Sequence, residues 1–291
     1  MKVTGMGQEG MEFQQMDQNN ETVHRDHTLS AQHLEAGYNQ KAIIRDIDLT
    51  VPQHKISVIL GANGCGKSTL LKTFSRLLKP MGGQIVLDGR AVTDIPSKEL
   101  ARTLGLLPQS PVVPEGICVT DLIARGRFPY RQFMKGMTKE DFAAVEEAME
   151  IMGITDLADR YVDELSGGQR QRVWIALALA QQTDVLLLDE PTTFLDIAYQ
   201  VEILDLLTEL NRRKGTTIVM ILHDINLSAR YADHIFAMGK GRLVAQGTPK
   251  EVITPALMKE IYGLTCEVME DPVSKSPMIL PIGRTQMRNG K

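Results

Sequence analysis

The stretch GANGCGKST, residues 61–69, constrains this chain more than any other. Gly61, Gly64, Gly66, Lys67 and Ser68 fit the pattern G-x-x-x-x-G-K-[ST]. Glycines let successive backbone N–H groups turn toward one point without Cβ clashes. With the N-terminus of a following helix they form a cradle for an anion. Ala62, Asn63 and Cys65 complete the loop, Cys65 serving as a small residue. In such a loop Lys67 reaches the β and γ phosphates of a nucleotide, Ser68 ligates magnesium, and Thr69 lies close to the phosphates. The flanks agree. ISVIL at 56–60 is a short apolar run of the kind buried central strands show, and Leu70, Leu71, Phe74, Leu77 and Leu78 repeat at helical spacing. The expected order is strand, phosphate loop, helix.

The rest of the chain continues this alternation. Structure is expected to begin at Leu29, and KAIIRDIDLTV at 41–51 partly alternates, as a half-buried strand does. After a Gly82-Gly83 turn, QIVLDG reads as a surface strand. Segment 111–164 reads as mostly helical, including an amphipathic helix at 138–152 with Thr138 as N-cap. Two more apolar runs, VLLLDE at 185–190 and TIVMILHD at 217–224, flank a helical pattern at 198–213. Strands alternating with helices predict a mostly parallel α/β sheet. Residues 1–27 are polar, with methionines at 1, 6, 11 and 16, a spacing that fits neither helix nor strand. They read as a disordered tail or a partner-binding arm.

VLLLDE ends in two carboxylates. Asp189 is suited to hold magnesium, and Glu190 to orient or deprotonate an attacking water. One carboxylate alone reads as an ordinary loop acid. A pair after four apolar residues, downstream of a phosphate loop, reads as chemistry. LSGGQRQRVWIALALA, starting at Leu165, supplies a second helix start. Ser166 is a natural N-cap, and Gly167 and Gly168 keep the tip free of side chains. One nucleotide in one chain does not need two phosphate cradles. The economical reading is that this tip serves nucleotide bound to another copy, so that two copies sandwich two ATP molecules head to tail.

Bulk properties narrow the class. The 291 residues are 43% hydrophobic and 23% charged, enough for a sizeable core. The formal charge of −4, from 32 basic and 36 acidic residues, weighs against a dedicated nucleic-acid binder. Cys65, Cys118 and Cys266 are odd in number and far apart, so a reducing interior is expected. No stretch approaches the roughly 20 apolar residues of a membrane-spanning helix. MKVTGMGQEG lacks the apolar core of a secretory signal. The expectation is a soluble cytoplasmic protein, with any membrane crossing left to other chains.

With these motifs the chain resembles the ATP-binding cassette family over roughly residues 29–264, LSGGQ being that family's signature. The resemblance implies an α/β fold: a P-loop NTPase (RecA-like) core of the ABC ATPase type, with an antiparallel β subdomain and an α-helical signature subdomain. It implies an ATPase domain at 28–264, its helical part about 111–165, and a C-terminal strand pair and tail at 265–291. It implies ATP and Mg2+ as ligands and a homodimer. Tyr38 is implied to stack on adenine, with packing at a strand end as its plain alternative. Gln109 is implied to sense magnesium, which Ser68 and Asp189 also hold. Ser166, Gly167, Gly168 and Gln169 are implied to contact ATP in trans, and Asp196 the other copy. Thr193 stands where the family often has Ser. His223 is implied to bond the γ-phosphate beside the catalytic Glu190.

GRFPYRQF, residues 126–133, mixes basic and aromatic residues. Such a stretch suits single-stranded nucleic acid, or a solvated loop. The resemblance adds a third reading. LLPQSPVVPEGICVTDLIARGRFPYRQ is similar to cassettes of importers for iron–siderophore complexes, haem and cobalamin, where this region docks on the permease. LTCEVMEDPVSKSPMILPIGR is similar to the strand pair that ends those cassettes. The implied protein is the peripheral ATPase subunit of an importer on the cytoplasmic face of the cell membrane. Its partners are transmembrane permease subunits and an extracellular or periplasmic substrate-binding protein, and no nucleic acid. Two alternatives stay open. A soluble cassette in DNA repair, translation or cluster assembly often carries coiled-coil inserts or two cassettes in one chain. A small-molecule kinase has no use for LSGGQ.

Overall fold

The computed structural model describes residues 25–109, 111, 113–132, 135–193 and 195–283. The disordered tail expected at 1–27 lies outside them up to residue 24, as do residues 284–291 of the C-terminal tail. Fixed contacts begin before Leu29: His27 sets Nδ1 2.6 Å from Asp88 Oδ2 and Nε2 3.1 Å from Asp184 Oδ2.

A hairpin comes first, β1 (Leu29–Tyr38) and β2 (Lys41–Thr50). Its two turn residues, Asn39 and Gln40, both have positive φ, 50° and 61°. That combination matches the right-handed twist of the strands it joins. Next, β3 (Ile56–Gly61) is buried at every residue and feeds the loop that opens α1 (Lys67–Phe74). The apolar spacing predicted a helix reaching Leu78. It stops at Phe74 because Arg76 takes the left-handed conformation (φ 59°) and donates to the carbonyls of Val92 and Ile95, leaving Leu77 65% exposed. β4 (Gly82–Leu87) follows. It was expected to be a surface strand, but only its start is exposed. Ile85, Val86 and Leu87 are buried because β4 lies inside a four-stranded sheet ordered β2-β1-β4-β5, with β5 at Arg90–Ala91.

Then come α2 (Ser97–Thr103), β6 (Leu104–Leu107), α3 (Val119–Ala124), α4 (Lys139–Ile151), α5 (Gly167–Ala180), β7 (Val185–Asp189), α6 (Ile197–Lys214), β8 (Thr217–Ile221) and α7 (Ile225–Tyr231). The chain continues with β9 (His234–Gly239), β10 (Arg242–Gly247), α8 (Pro249–Val252) and α9 (Pro255–Tyr262), and closes with the antiparallel pair β11 (Cys266–Glu270) and β12 (Pro277–Pro281). The main sheet is ordered β10-β9-β3-β8-β7-β6, parallel throughout except for β10. Its strands alternate between two cores. Val58, Leu60, Leu186, Leu188, Ile218 and Met220 face the helices. Ile59, Leu187, Val219, Ile221, Phe236 and Met238 face α1 and the antiparallel sheet. Burial on both faces is what makes these strands read as continuous apolar runs.

Across 111–164 the chain is less helical than its sequence predicted. The described residues there hold α3, α4 and three short 3-10 turns, with one bridge from Cys118 to Tyr161. Thr138 caps α4 as expected, in a reciprocal pair with Asp141. Within GRFPYRQF, Arg127 and Tyr130 are tied into the fold rather than solvated. Arg127 is buried: its Nε donates to Asp141 Oδ1 at 2.9 Å and its Nη1 to Ala180 O at 2.8 Å, with its guanidinium 3.9 Å from the Tyr130 ring centre. The Tyr130 hydroxyl donates to Gln181 O at 2.8 Å. These residues bolt the helical segment to the end of α5. Phe128, by contrast, is 71% exposed.

Asp141→Ala strands the Arg127 charge in an apolar interior. The expected loss is about 3–5 kcal/mol of stability, read as a lower urea midpoint at unchanged m-value. Burial works against the Asp141 charge, but donors from Thr138 and Arg127 outweigh it and hold the carboxyl below its usual range. Its contribution is therefore complete above the ordinary aspartate value of about 3.9 and fades as pH falls through the lower folded value.

Candidate functional site

Parallel strands all end on one edge of a sheet, and ligands of open α/β sheets bind there. β3, β8, β7 and β6 are neighbours in that order, and the segments that leave their C-terminal ends hold most of the expected site residues. β3 leads into the phosphate loop. A Cβ on Gly61 would stand 2.4 Å from Met238 O, and one on Gly66 (φ 106°) 2.4 Å from Ile44 Cγ2. The loop thus lies against β9 and β2 as only glycine allows. Asn63 and Gly64 are exposed, Ala62 is half-buried, and Cys65 and Thr69 are buried. Burial pushes the Cys65 thiol up, despite the nearby Lys67, so it is an inert small residue there.

Lys67 is buried, and its Nζ donates to Gly61 O at 2.7 Å and Ala62 O at 3.3 Å. Two carbonyl dipoles solvate the ammonium without neutralising it, so an anion beside it is favoured. Ser68 Oγ donates to Asp189 Oδ1 at 3.0 Å. Asp189 is 2% exposed and its Oδ2 has no hydrogen-bond partner. Burial raises its carboxyl above the usual range, the Ser68 bond opposing. A buried carboxylate with an unpartnered oxygen, next to a hydroxyl at a phosphate loop, fits a hard divalent cation such as Mg2+.

Glu190 follows β7 in the left-handed conformation (φ 57°), a sparsely populated state for a residue with a side chain. Its carboxylate gathers groups from three strand ends. Oε1 lies 2.7 Å from His223 Nε2, beyond β8. Oε2 accepts from Gln109 Nε2 at 2.7 Å, beyond β6, and from Thr193 Oγ1 at 3.0 Å. Burial works against the charge, but these donors outweigh it and hold the carboxyl below its usual range. An ionised Glu190 can take a proton from water. Asp224 caps α7 by accepting from Leu227 N at 2.8 Å, which fixes the turn that carries His223.

Ser166 caps α5. Its Oγ accepts from Gln169 N at 3.3 Å, and Gln169 Oε1 accepts from Ser166 N at 3.1 Å. Ser166 and Gly167 are exposed, and no heavy atom lies within 4 Å of a Cβ placed on Gly167. Among the described residues no hydrogen bond joins 166–169 to 61–69. Gly168 is half-buried beside Leu195 and Tyr199. Asp196 is exposed and caps α6 through Tyr199 N at 3.2 Å. Tyr38 is 45% exposed at the hairpin tip, with ring surface free for stacking. Two contacts escape the motif reading. One is Thr193 on Glu190. The other is Gln171, one turn inside α5, whose Nε2 donates to Pro191 O at 2.7 Å. A helical offset of four residues from Gly167 was the only trace of the second in the sequence.

Residues 44–193 match the ABC transporter family. The chain is 49% identical over 257 residues to the ferric enterobactin transport ATP-binding protein FepC of Escherichia coli (strain K12), covering 88% of this chain and 95% of that protein. It is 49% identical over 256 residues to the achromobactin transport ATP-binding protein CbrD of Dickeya dadantii (strain 3937), with 88% and 95% covered. It superposes with a TM-score of 0.77 on a structure described as an inward-facing metal-chelate type ABC transporter, at 27% identity, covering 89% of this chain and 99% of the other. The matched stretch runs from β2 through the loop that carries Glu190, and the likeness to whole relatives extends well beyond it on both sides; the chain belongs to the ABC transporter family, as one of its ATP-binding subunits.

Proposed function

We propose that the chain hydrolyses ATP to drive import of a ferric siderophore or a related iron chelate through a separate permease. The carrying observation is the convergence of Lys67, Ser68, Gln109, Asp189, Glu190 and His223 at the ends of four adjacent parallel strands. The chelate is named in the relatives' own descriptions, ferric enterobactin and achromobactin. No helix among the described residues is long and apolar enough to cross a membrane. The proposal therefore assigns the passage to permease subunits, the chain sitting on their cytoplasmic face. A substrate-binding protein delivers the chelate from outside, and nucleic acid has no part in the cycle. Phe128 and Phe142, 71% and 59% exposed on the segment between β6 and β7, offer the apolar surface on which permease helices dock.

The proposed chemistry uses the chain's own groups. Tyr38 stacks on the adenine, and Lys67 with the N–H groups of its loop balances the phosphate charge. Ser68 and Asp189 would hold Mg2+, with Gln109 within reach, and the ion supplies charge neutralisation on the phosphate oxygens. Glu190 takes a proton from water as the water oxygen bonds the γ-phosphorus and the bond to the β-phosphate oxygen breaks. His223 Nε2, shared with Glu190 here, can turn a donor to a γ-phosphate oxygen. The exposed Ser166 tip, with Gly167, Gly168 and Gln169, serves the triphosphate of a second copy, and Asp196 lies at that contact. Two sites then close together, and ATP shifts the pair between open and closed states by its differential affinity.

Glu190→Gln should bind ATP and persist as an ATP-bound dimer, with hydrolysis down about 100- to 10,000-fold. Phosphate release and size-exclusion chromatography with ATP check both; normal turnover would remove Glu190 from its role. Ser166→Arg should abolish turnover yet leave ATP binding to the same chain within about threefold. Normal hydrolysis by that variant contradicts the shared site. Cells without this chain should lose ATP-dependent uptake of labelled ferric chelates while keeping the external binding step.

A further inference from the structure

The start of α5 lies against the turn that carries the catalytic carboxylate and the first turns of α6. Gln171 Nε2 donates to Pro191 O at 2.7 Å. Gly168 lies 3.9 Å, measured from a Cβ built on it, from Leu195 Cδ2 and from the Tyr199 ring. Arg172 pairs with Glu202 and stands 5.8 Å from the Tyr199 ring centre. Among these contacts only that of Gln171 lands beside Glu190. It fixes the peptide that follows Pro191, while Thr193 N donates to Glu190 O at 3.3 Å and Thr193 Oγ1 to Glu190 Oε2 at 3.0 Å. Gln171 thus braces from outside a four-residue turn that begins with a strained glutamate.

In a head-to-tail dimer the two ends of this link belong to different ATP sites. The Ser166 tip faces the partner's nucleotide, and Glu190 acts on the chain's own. We propose that Gln171 is a positioning residue that couples the two sites: nucleotide gripped by one chain's Ser166 tip sets the Glu190 turn of that same chain. The inference rests on the dimer proposed above. One amide is enough for the task. A helix that shifts by a fraction of an ångström as its tip closes on a triphosphate carries the Gln171 amide with it, and the Pro191 carbonyl follows. Apolar contact at Gly168 and Leu195 keeps the two segments together but slides more easily than a directed hydrogen bond.

Mixed dimers of the full chain separate a role at the Glu190 turn from simple support of the tip. In each, one protomer carries Glu190→Gln, so a single working Glu190 remains. Gln171→Met, close in shape but without a donor, is placed either on the protomer with the working Glu190 or on the other, whose Ser166 tip holds the working nucleotide. Coupling predicts that the first placement slows phosphate release about tenfold, the scale of one lost hydrogen bond. The slowing should be at least fivefold greater than from the second placement, with the apparent KM for ATP within about twofold in both. Equal losses, or a larger loss from the second placement, overturn the inference and leave Gln171 as a support for the tip. Adding Ser166→Arg to the protomer with the working Glu190 tests the coupling itself. It should slow phosphate release as Gln171→Met does there and add little to that variant, whereas an unchanged rate overturns the coupling. Gln171→Glu repeats the test with a side chain of the same length should the methionine variant misfold. If the Glu190→Gln homodimer itself fails to form with ATP, the proposed dimer falls first and the coupling with it, before any change at Gln171.

Discussion

Parallel alignment is the constraint from which this site follows. Gly61, Gln109, Asp189 and His223 are far apart in sequence, and each lies at or just beyond the end of a strand whose neighbours run the same way. A sheet of that kind must be covered on both faces, and it is: alternate residues of β3, β7 and β8 enter two separate cores. The cost of burying polar backbone on two faces is met by the ladder itself. The edge where the strands stop joins fixed backbone to solvent-accessible loops, and the expected site residues collect there.

Electrostatics at this edge is arranged by unequal burial. Asp189 and Glu190 are adjacent carboxylates, yet their surroundings move them in opposite directions. Asp189 sits among apolar strands with Ser68 as its hydrogen-bond partner, and burial outweighs that bond and the pull of Lys72 and Lys67, so its charge is expensive without a bound cation. Glu190 turns out of the sheet through a left-handed backbone and meets three donors, so it is ionised without a cation. The strain of that conformation, on the order of 1–3 kcal/mol, is set against hydrogen bonds to a charged group worth about 1.5–3 kcal/mol each. On the proposed reading one acid is kept for a metal and the other for a proton.

Local rules carried the sequence reading where a local pattern decides the structure. The apolar run of β3, the glycines of its loop, the Thr138 and Ser166 caps and the alternation of β2 each depend on neighbours within a few positions. The reading failed where a distant partner decides. Nothing near Leu77 announces that Arg76 will leave the helix for the carbonyls of Val92 and Ile95. Nor does composition reveal that Arg127 is buried: a basic and aromatic run looks solvated until Asp141, on the next helix, supplies the counter-charge. Thr193 and Gln171 were invisible as contacts for the same reason, since each meets its partner through the folding of a turn or the approach of a helix.

Apart from those of Arg76 and Thr193, these distant contacts line up along α5. Arg127 and Tyr130 grip the carbonyls of Ala180 and Gln181 at the far end of α5. The helix is 14 residues long, about 21 Å at 1.5 Å per residue, and its interior positions Val173, Ile175 and Ala176 are fully buried. At its near end stand the Ser166 tip and the Gln171 amide. A rod held at both ends by directed bonds, with its middle in a close-packed core, moves as a unit. A displacement at the exposed Phe128 would, on the proposed reading, pass along this helix to Ser166 and the Glu190 turn together. On the proposed reading this ties permease position to the geometry of hydrolysis without any residue of the chain touching the transported chelate, and it places the information about cargo outside the residues that perform the chemistry.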